Sequence, residues 1–261
     1  MIFFSSIRHA FCSCKSVLFG ALLSLIIVTP LFASPKIHVV TTESPATLLH
    51  PINNYILVEQ VLLRMGFQVK FTHLPWSRAL QMVRTGMADA IASTIYTENR
   101  SKFLTFSSEP LDYKTVSFFV KRGTTLPRSR SLSRYSSYSI GAIRGYSYGT
   151  EIDTAIRYGI LPHVEYTSSF DNALRQLVAE RTDVLIGFSK DVWAAAHQVV
   201  LTQDIEEIEE SFRTYPTYLA FSKRSEFTDL ASSFSKTLRE MKKDGSYKMI
   251  KSQTDALSTL K

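Results

Sequence analysis

An internal duplication constrains the fold of this chain more than any other feature. One copy spans residues 69–92 and the other spans residues 164–186. In each copy a leucine, Leu80 or Leu174, precedes an aspartate by nine residues. The segments before these leucines match as well and differ in length by one residue. A chain that carries the same unit twice is expected to fold into two similar halves.

Each copy has the pattern of a strand, a helix and a second strand. Its first segment alternates apolar and polar residues, as Val69 and Phe71 do, which is typical of a sheet strand. Apolar residues then recur at helical spacing, as at Leu174, Leu177 and Val178. A short apolar run after the aspartate is typical of a buried parallel strand. Two such βαβ units predict two α/β lobes.

Two further segments, Val116–Arg122 and Tyr218–Arg224, are both apolar strands that end at Lys-Arg. We interpret them as two strands along which the chain leaves the first lobe and returns to it. Lobe 1 is then discontinuous and comprises residues 35–118 and 219–261, whereas lobe 2 comprises residues 119–218. Two adjacent crossing strands form a hinge, because a few residues at their ends can absorb the rotation.

The first 34 residues have the pattern of a secretory signal peptide. Arg8 and Lys15 are the only formal charges before Ser34, and an apolar run from Val17 to Val28 follows them. Small residues end the segment, so we predict cleavage at about residue 34 and a periplasmic location. The alternative is an uncleaved anchor, although the run is short against the roughly 20 residues of a spanning helix.

Composition excludes several classes of function for the mature chain. Both cysteines, Cys12 and Cys14, lie inside the signal, so we expect no disulfide and no thiolate metal site. The histidines are scattered without ligand spacing, so we expect neither a metal nor a cofactor. The chain has a net charge of +7, of which the signal carries two, and this mild excess tolerates an anionic ligand without requiring one. The basic segment 121–134 lacks interleaved aromatic residues, which favours a solvated loop over nucleic-acid binding.

Several segments together resemble the extracellular solute-binding proteins of family 3, known as amino-acid-binding components of import systems. They are Leu74–Leu80, Thr97–Arg100, Ile140–Ser147 and Met241–Tyr247. The resemblance implies a two-lobed periplasmic binding protein fold of type II, in which each lobe is a mixed sheet flanked by helices. It also implies a monomer that closes around a small ligand without chemistry and then docks on the permease of a membrane ABC transporter.

The resemblance makes Arg100 the first candidate for ligand binding, because the arginine of this family motif grips the ligand carboxylate. A guanidinium suits that role, since its planar fork forms two parallel charge-assisted hydrogen bonds. Thr97 and Ser93 would add donors beside it. The competing interpretations are a surface arginine and, for Thr97, a helix N-cap.

Candidates also lie near the starts of other elements. Trp76 offers a flat apolar wall with an N–H donor, or else belongs to the core. Glu43 follows the first predicted strand and could meet a ligand cation or be solvated. Tyr146 and Ser147 precede a helix whose free N–H groups form a local anion site, with a plain capped turn as the alternative.

One position departs from the family pattern. Amino-acid binders of the family carry an aspartate after the second-lobe strand, which pairs with the ligand ammonium. Here Phe188 takes that place, Ser189 follows it, and Asp191 could substitute only if the loop bends. This departure leaves a carboxylate ligand without an amine, or an aromatic one, open.

Two other functions fit the same resemblance. A periplasmic enzyme similar to cyclohexadienyl dehydratase would need a general acid in the cleft, for which Glu43 or Asp191 are the candidates. A sensory module that presents ligand to a signalling partner is the third interpretation. We expect a binding protein and not an enzyme, because neither acid lies in a matching motif.

Overall fold

The structure is a computed structural model, and it describes residues 34–42, 54–126, 131–208 and 213–259, with side chains to residue 252. The predicted signal peptide, up to residue 33, and Glu43 lie outside the described residues. The elements of the first half are β1 (Lys36–Thr41), α1 (Asn54–Arg64), β2 (Gln68–His73), α2 (Trp76–Thr85), β3 (Ala90–Thr94), α3 (Glu98–Ser101), β4 (Leu104–Phe106) and β5 (Asp112–Lys121).

The second half contains a matching series and a helical end. After a 3₁₀ turn at Leu132–Tyr135, the elements are β6 (Ile140–Ile143), α4 (Thr150–Arg157), β7 (Val164–Thr167), α5 (Phe170–Val178), β8 (Val184–Phe188), α6 (Ser189–Gln198), β9 (Ile205–Glu207), β10 (Arg213–Ser222), α7 (Leu230–Lys243) and α8 (Ser246–Thr259). No helix among the described residues is long and apolar enough to span a membrane.

The strands follow one path whose two halves mirror each other. The order β2-β1-β3-β10, the first sheet half, continues into β5-β8-β6-β7, the second sheet half. β1 pairs in parallel with β2 and β3, as β6 does with β7 and β8. Strand β10 runs antiparallel to β3, and strand β5 runs antiparallel to β8. Both predicted βαβ units, β2-α2-β3 and β7-α5-β8, are therefore confirmed, and the fold is the two-lobed α/β fold.

The duplicated aspartates make the same hydrogen bonds in both units. His38 N donates to Asp89 Oδ2 at 2.8 Å, and Asp89 N donates back to His38 O at 2.9 Å. Ser139 N donates to Asp183 Oδ2 at 2.8 Å, and Asp183 N donates to Ser139 O at 2.9 Å. Each aspartate thus ties the last strand of its unit to the central strand, which explains its fixed spacing from the helix.

Helices cover both faces of each sheet half. Because successive side chains of a strand point to opposite faces, each half has two cores. In β1, Ile37 and Val39 pack in a cluster with α1 and α7, whereas Val40 packs in a second cluster with α2. In β6, Ile140 and Ile143 likewise belong to different clusters. These side chains are at most 2% exposed, so their burial is a major stabilising term.

The two predicted crossing strands are β5 and β10, and they pair antiparallel at the centre of the path. Their register runs from Val116 opposite Arg213 to Asp112 opposite Thr217. Both extend further toward the N-terminus than the apolar pattern indicated, because those stretches are only partly buried and contain polar residues. The lobe boundaries at 118 and 219, and the hinge itself, stay predictions.

Candidate functional site

The candidate site is a cavity at the carboxyl ends of the parallel strands, where open α/β sheets bind ligands. Its volume is about 280 Å³ counting space open to solvent. The residues that line it are Thr42, Trp76, Ser93, Ile95, Arg100, Lys114, Tyr146, Ser147 and Phe188. Both sheet halves contribute to this lining, and six of the predicted ligand-binding residues meet in it.

Arg100 is a buried cation in this cavity, with 6% of its surface exposed. Its Nη1 donates to Ile95 O at 2.8 Å and to Thr94 Oγ1 at 3.3 Å, and its Nη2 donates to Gly145 O at 3.1 Å. No carboxylate of the described residues forms an ion pair with it. Burial disfavours the charged form and lowers the pKa of Arg100 to about 10, against a weaker opposing effect of Asp153.

Thr97 holds Arg100 in place from outside the cavity. It is the N-cap of α3, and its Oγ1 accepts a hydrogen bond from Arg100 N at 3.2 Å. An N-cap satisfies one of the N–H groups that a helix leaves without an internal partner. The structure therefore shows the N-cap, and a ligand contact by Thr97 stays a prediction.

An aromatic wall extends from Arg100 across the cavity. The guanidinium carbon lies 5.1 Å from the centre of the Trp76 ring, within the range of a cation–π contact. The Trp76 and Tyr146 rings meet edge to face at 5.5 Å, and the Tyr146 and Phe188 rings lie 5.6 Å apart. Trp76 thus lines the cavity and, at 6% exposed, also belongs to the core.

The carbonyl of Gly145 joins both sides of the cavity, although sequence reasoning did not single it out. It accepts hydrogen bonds from Trp76 Nε1 at 2.8 Å and from Arg100 Nη2 at 3.1 Å. Gly145 has a φ of +79°, a conformation that favours glycine, and a Cβ there would lie 3.5 Å from Trp76 Cδ1. The only sequence signal for this contact is that Gly145 follows a strand and precedes Tyr146 and Tyr148.

Ser93 is held by a buried amide that sequence reasoning missed. Asn54 is fully buried, and its Nδ2 donates to Ser93 Oγ at 3.0 Å. Lys251 Nζ in α8 donates to Asn54 Oδ1 at 2.8 Å. Ser93 has a φ of +56°, a strained value for a serine. This chain of contacts fixes the loop after β3, and its members are too far apart in sequence to be recognised as a group.

The predicted anion site before α4 is already filled by the protein. Ser147 Oγ donates to Asp153 Oδ2 at 2.5 Å, and Tyr148 N donates to Asp153 Oδ1 at 2.9 Å. Asp153 lies in the first turn of α4, where a carboxylate is favoured. Ser147 lines the cavity, and Asp153 accepts the hydrogen bonds that its turn would offer to a ligand anion, so an anion contact there stays a prediction.

The structure also places Ser189 and Asp191 away from the cavity lining. Ser189 Oγ donates to Glu207 Oε2 at 2.9 Å, and Asp191 accepts from Lys114 Nζ at 2.7 Å. Since α6 begins directly at Ser189, these side chains are oriented by the helix. Direct ligand contacts by Ser189 and Asp191 stay predictions, whereas Lys114, which sequence reasoning missed, lines the cavity.

Metal binding finds no support in the part of the chain that the structure describes. No group of three or more His, Cys, Asp or Glu side chains there is arranged to hold an ion. The side chains of the described lining supply hydrogen-bond donors, aromatic surface and two cationic groups, Arg100 and Lys114. This chemistry is suited to binding an anion with an apolar body.

A lowered but still high pKa for Arg100 predicts how anion binding depends on pH. Because that pKa is about 10 and carboxylates ionise above about pH 5, affinity should be constant from pH 6 to 8. At pH 10 half of the guanidinium has lost its proton, so the apparent Kd should rise about twofold. Titration calorimetry across this range measures both. A change between pH 6 and 8 would instead assign anion binding to a group that titrates there.

The family can now be assigned. Residues 54–253 match the sequence profile of the bacterial extracellular solute-binding proteins, family 3. The chain belongs to this family. Among curated protein sequences no relative matches it. The family 3 assignment agrees with the resemblance seen in the sequence, and with the described fold.

Solved structures similar to this family 3 protein have different roles. A histidine kinase sensor domain similar to periplasmic binding proteins matches at a TM-score of 0.70 and 19% identity, covering 84% of this chain and 95% of its own. An ancestral arginine-binding protein bound to arginine matches at 0.70 and 21%, covering 84% and 97%. An ancestral amino-acid-binding protein, a precursor of cyclohexadienyl dehydratase, matches at 0.64 and 18%, covering 84% and 94%. At these identities the likeness concerns the fold alone.

Proposed function

We propose that this family 3 protein binds a small carboxylate-bearing solute reversibly in the cavity, with Arg100 as the anion contact. The observation that supports this most is a buried guanidinium without a carboxylate partner among the described residues. A buried charge is costly unless it is paired, and a bidentate carboxylate pairs with a guanidinium better than carbonyls do. A ligand carboxylate would supply the missing countercharge.

Binding in this site requires the two lobes to separate. Thr42, Trp76, Ser93, Ile95, Arg100 and Lys114 belong to the proposed lobe 1, and Tyr146, Ser147 and Phe188 belong to the proposed lobe 2. Trp76 Nε1 and Arg100 Nη2 both donate across the cavity to Gly145 O, so the walls must part for a solute to enter. We propose that β5 and β10 act as the hinge. As the cleft opens, Gly145 O would lose the hydrogen bonds from Trp76 Nε1 and Arg100 Nη2.

The proposed biological setting follows from the family. Cleavage of a signal peptide at about residue 34 would release a monomer into the periplasm, and the loaded form would deliver its solute to an ABC importer. Glu43, which lies outside the described residues, stays a candidate ligand contact. An assay of ATP hydrolysis by the reconstituted permease complex distinguishes an importer from a signalling partner. Stimulation by the loaded protein would support the importer, and no stimulation would favour a signalling partner.

A thermal-shift screen of residues 35–261 tests the binding proposal. The compounds are α-amino acids, mono- and dicarboxylates, oligopeptides and cyclic precursors of aromatic amino acids. At 100 times its Kd a ligand should stabilise the fold by about 2.7 kcal/mol, and so raise the Tm by about 5–11 °C. If no carboxylate raises the Tm, the proposal is wrong. Mass spectrometry of the recovered ligand should find it unchanged, and conversion would favour the enzyme instead.

A further inference from the structure

An ion pair lies beside the aromatic wall at the end opposite Arg100. Lys114 Nζ is 2.7 Å from Asp191 Oδ2, and the two side chains are only 14% and 19% exposed. The same Nζ lies 5.4 Å from the centre of the Phe188 ring. Lys114 lines the cavity and Asp191 lies behind it. The pair therefore presents the Lys114 ammonium to the cavity, and the Asp191 carboxylate is already bound by that ammonium.

The two cations of the lining differ in their partners. Arg100 is bound by two carbonyls and one hydroxyl, so its charge is not neutralised by a described carboxylate. Lys114 is neutralised by Asp191 within a largely buried contact. A ligand carboxylate is therefore favoured at Arg100. A ligand ammonium near Phe188 would meet the like charge of Lys114 and would compete with it for Asp191, which costs affinity.

We infer that the site selects carboxylates that carry no amine, with Lys114 and Asp191 as the specificity determinants and the aromatic wall receiving an apolar or aromatic body. This inference rests on the proposed function, because it assumes that a carboxylate binds at Arg100. The unfavourable contact with the Lys114 charge excludes ligands that carry an amine, whereas the apolar wall accepts the rest of the molecule.

Matched pairs of ligands test the inference by titration calorimetry. The pairs are propionate and L-alanine, 4-methylpentanoate and L-leucine, 3-phenylpropionate and L-phenylalanine, and glutarate and L-glutamate. Each differs only by the α-amino group. In the wild-type protein the amine-free member of the best-binding pair should bind at least tenfold more tightly. Equal affinity, or tighter binding of the amino acid, overturns the inference.

Two variants separate the roles of the ion pair. Lys114→Met removes the competing ammonium and leaves Asp191 free to accept one, so binding of the amino acid should improve at least tenfold. The double variant Lys114→Met with Asp191→Asn removes both charges, keeps the fold free of an unpaired acid, and should lose that gain while it retains amine-free ligands. If Lys114→Met gives no gain and its circular dichroism matches the wild type, the assignment is wrong.

Arg100→Ala distinguishes this inference from the function on which it rests. Carboxylate binding that is lost in Arg100→Ala, together with equal affinities within each pair, overturns amine exclusion and leaves the proposed function standing. Carboxylate binding that Arg100→Ala leaves unchanged overturns the proposed function and this inference with it.

Discussion

Replacement of Arg100 by alanine is expected to raise the Kd for a carboxylate ligand by about 30-fold to several thousand-fold. Truncating one partner of a buried, hydrogen-bonded charge pair costs about 2–5 kcal/mol of binding free energy. The ligand carboxylate would lose its cation and would be desolvated among aromatic rings. The conservative variant Arg100→Lys keeps the charge but loses the planar fork, so its affinity should lie between those of the wild type and Arg100→Ala. Calorimetry or the thermal-shift screen measures the affinities of all three proteins.

Arg122 supplies a matched control for this prediction. It also donates to backbone carbonyls, from Nε to Gln203 O at 2.5 Å and from Nη2 to Ile205 O at 2.9 Å. It does not line the cavity. Arg122→Ala should therefore affect the Tm and leave the Kd unchanged. Equal losses of affinity in the Arg100 and Arg122 variants would contradict a direct role for Arg100 and indicate a general effect on folding.

Replacement of Trp76 by alanine is expected to reduce both stability and affinity. Its side chain is 6% exposed, packs in the core cluster beneath α2 and donates to Gly145 O at 2.8 Å. Truncation of a buried tryptophan costs about 3–5 kcal/mol, which corresponds to a Tm about 6–20 °C lower for a chain of this size. The variant also removes a wall of the cavity and the ring beside Arg100, so the ligand should no longer raise the Tm.

Two variants separate packing from the contact with Gly145. Trp76→Phe keeps an aromatic ring but removes the N–H donor, so it should cost less stability than alanine and retain part of the affinity. Trp193, the other tryptophan, donates to Glu207 Oε2 at 2.7 Å outside the cavity lining. Trp193→Ala should lower the Tm without a change in Kd. Ligand binding that survives intact in Trp76→Ala would exclude this tryptophan from the site.

Much of the architecture could be predicted from local sequence, because it depends on short-range patterns. Alternating and helical apolar spacing marked β2-α2-β3 and β7-α5-β8, and the duplication related them. The aspartates that precede the last strand of each unit accept the same backbone hydrogen bond in both copies. The family motif pointed to Arg100, which the structure places in the cavity together with Trp76, Ser93, Tyr146, Ser147 and Phe188.

Partner choice among polar side chains could not be predicted in the same way. Ser147 turned out to bind Asp153, and Ser189 to bind Glu207. Each of these groups has several acceptors or donors of similar chemistry within reach. Which one it takes depends on the direction in which a strand end or helix start sends the side chain, and no residue pattern encodes that direction.

The sequence by itself determined the duplicated α/β units and the two strands that pair at the centre of the sheet path, and its family motif singled out Arg100. Only the tertiary structure decided that Gly145 O receives both Trp76 and Arg100, and that Lys114 neutralises Asp191 across 77 positions of the chain. The physical reason is that secondary structure follows from spacing along the chain, whereas charge compensation in a buried site follows from which strand ends meet. The charge that remains at Arg100 is therefore a property of the folded cavity.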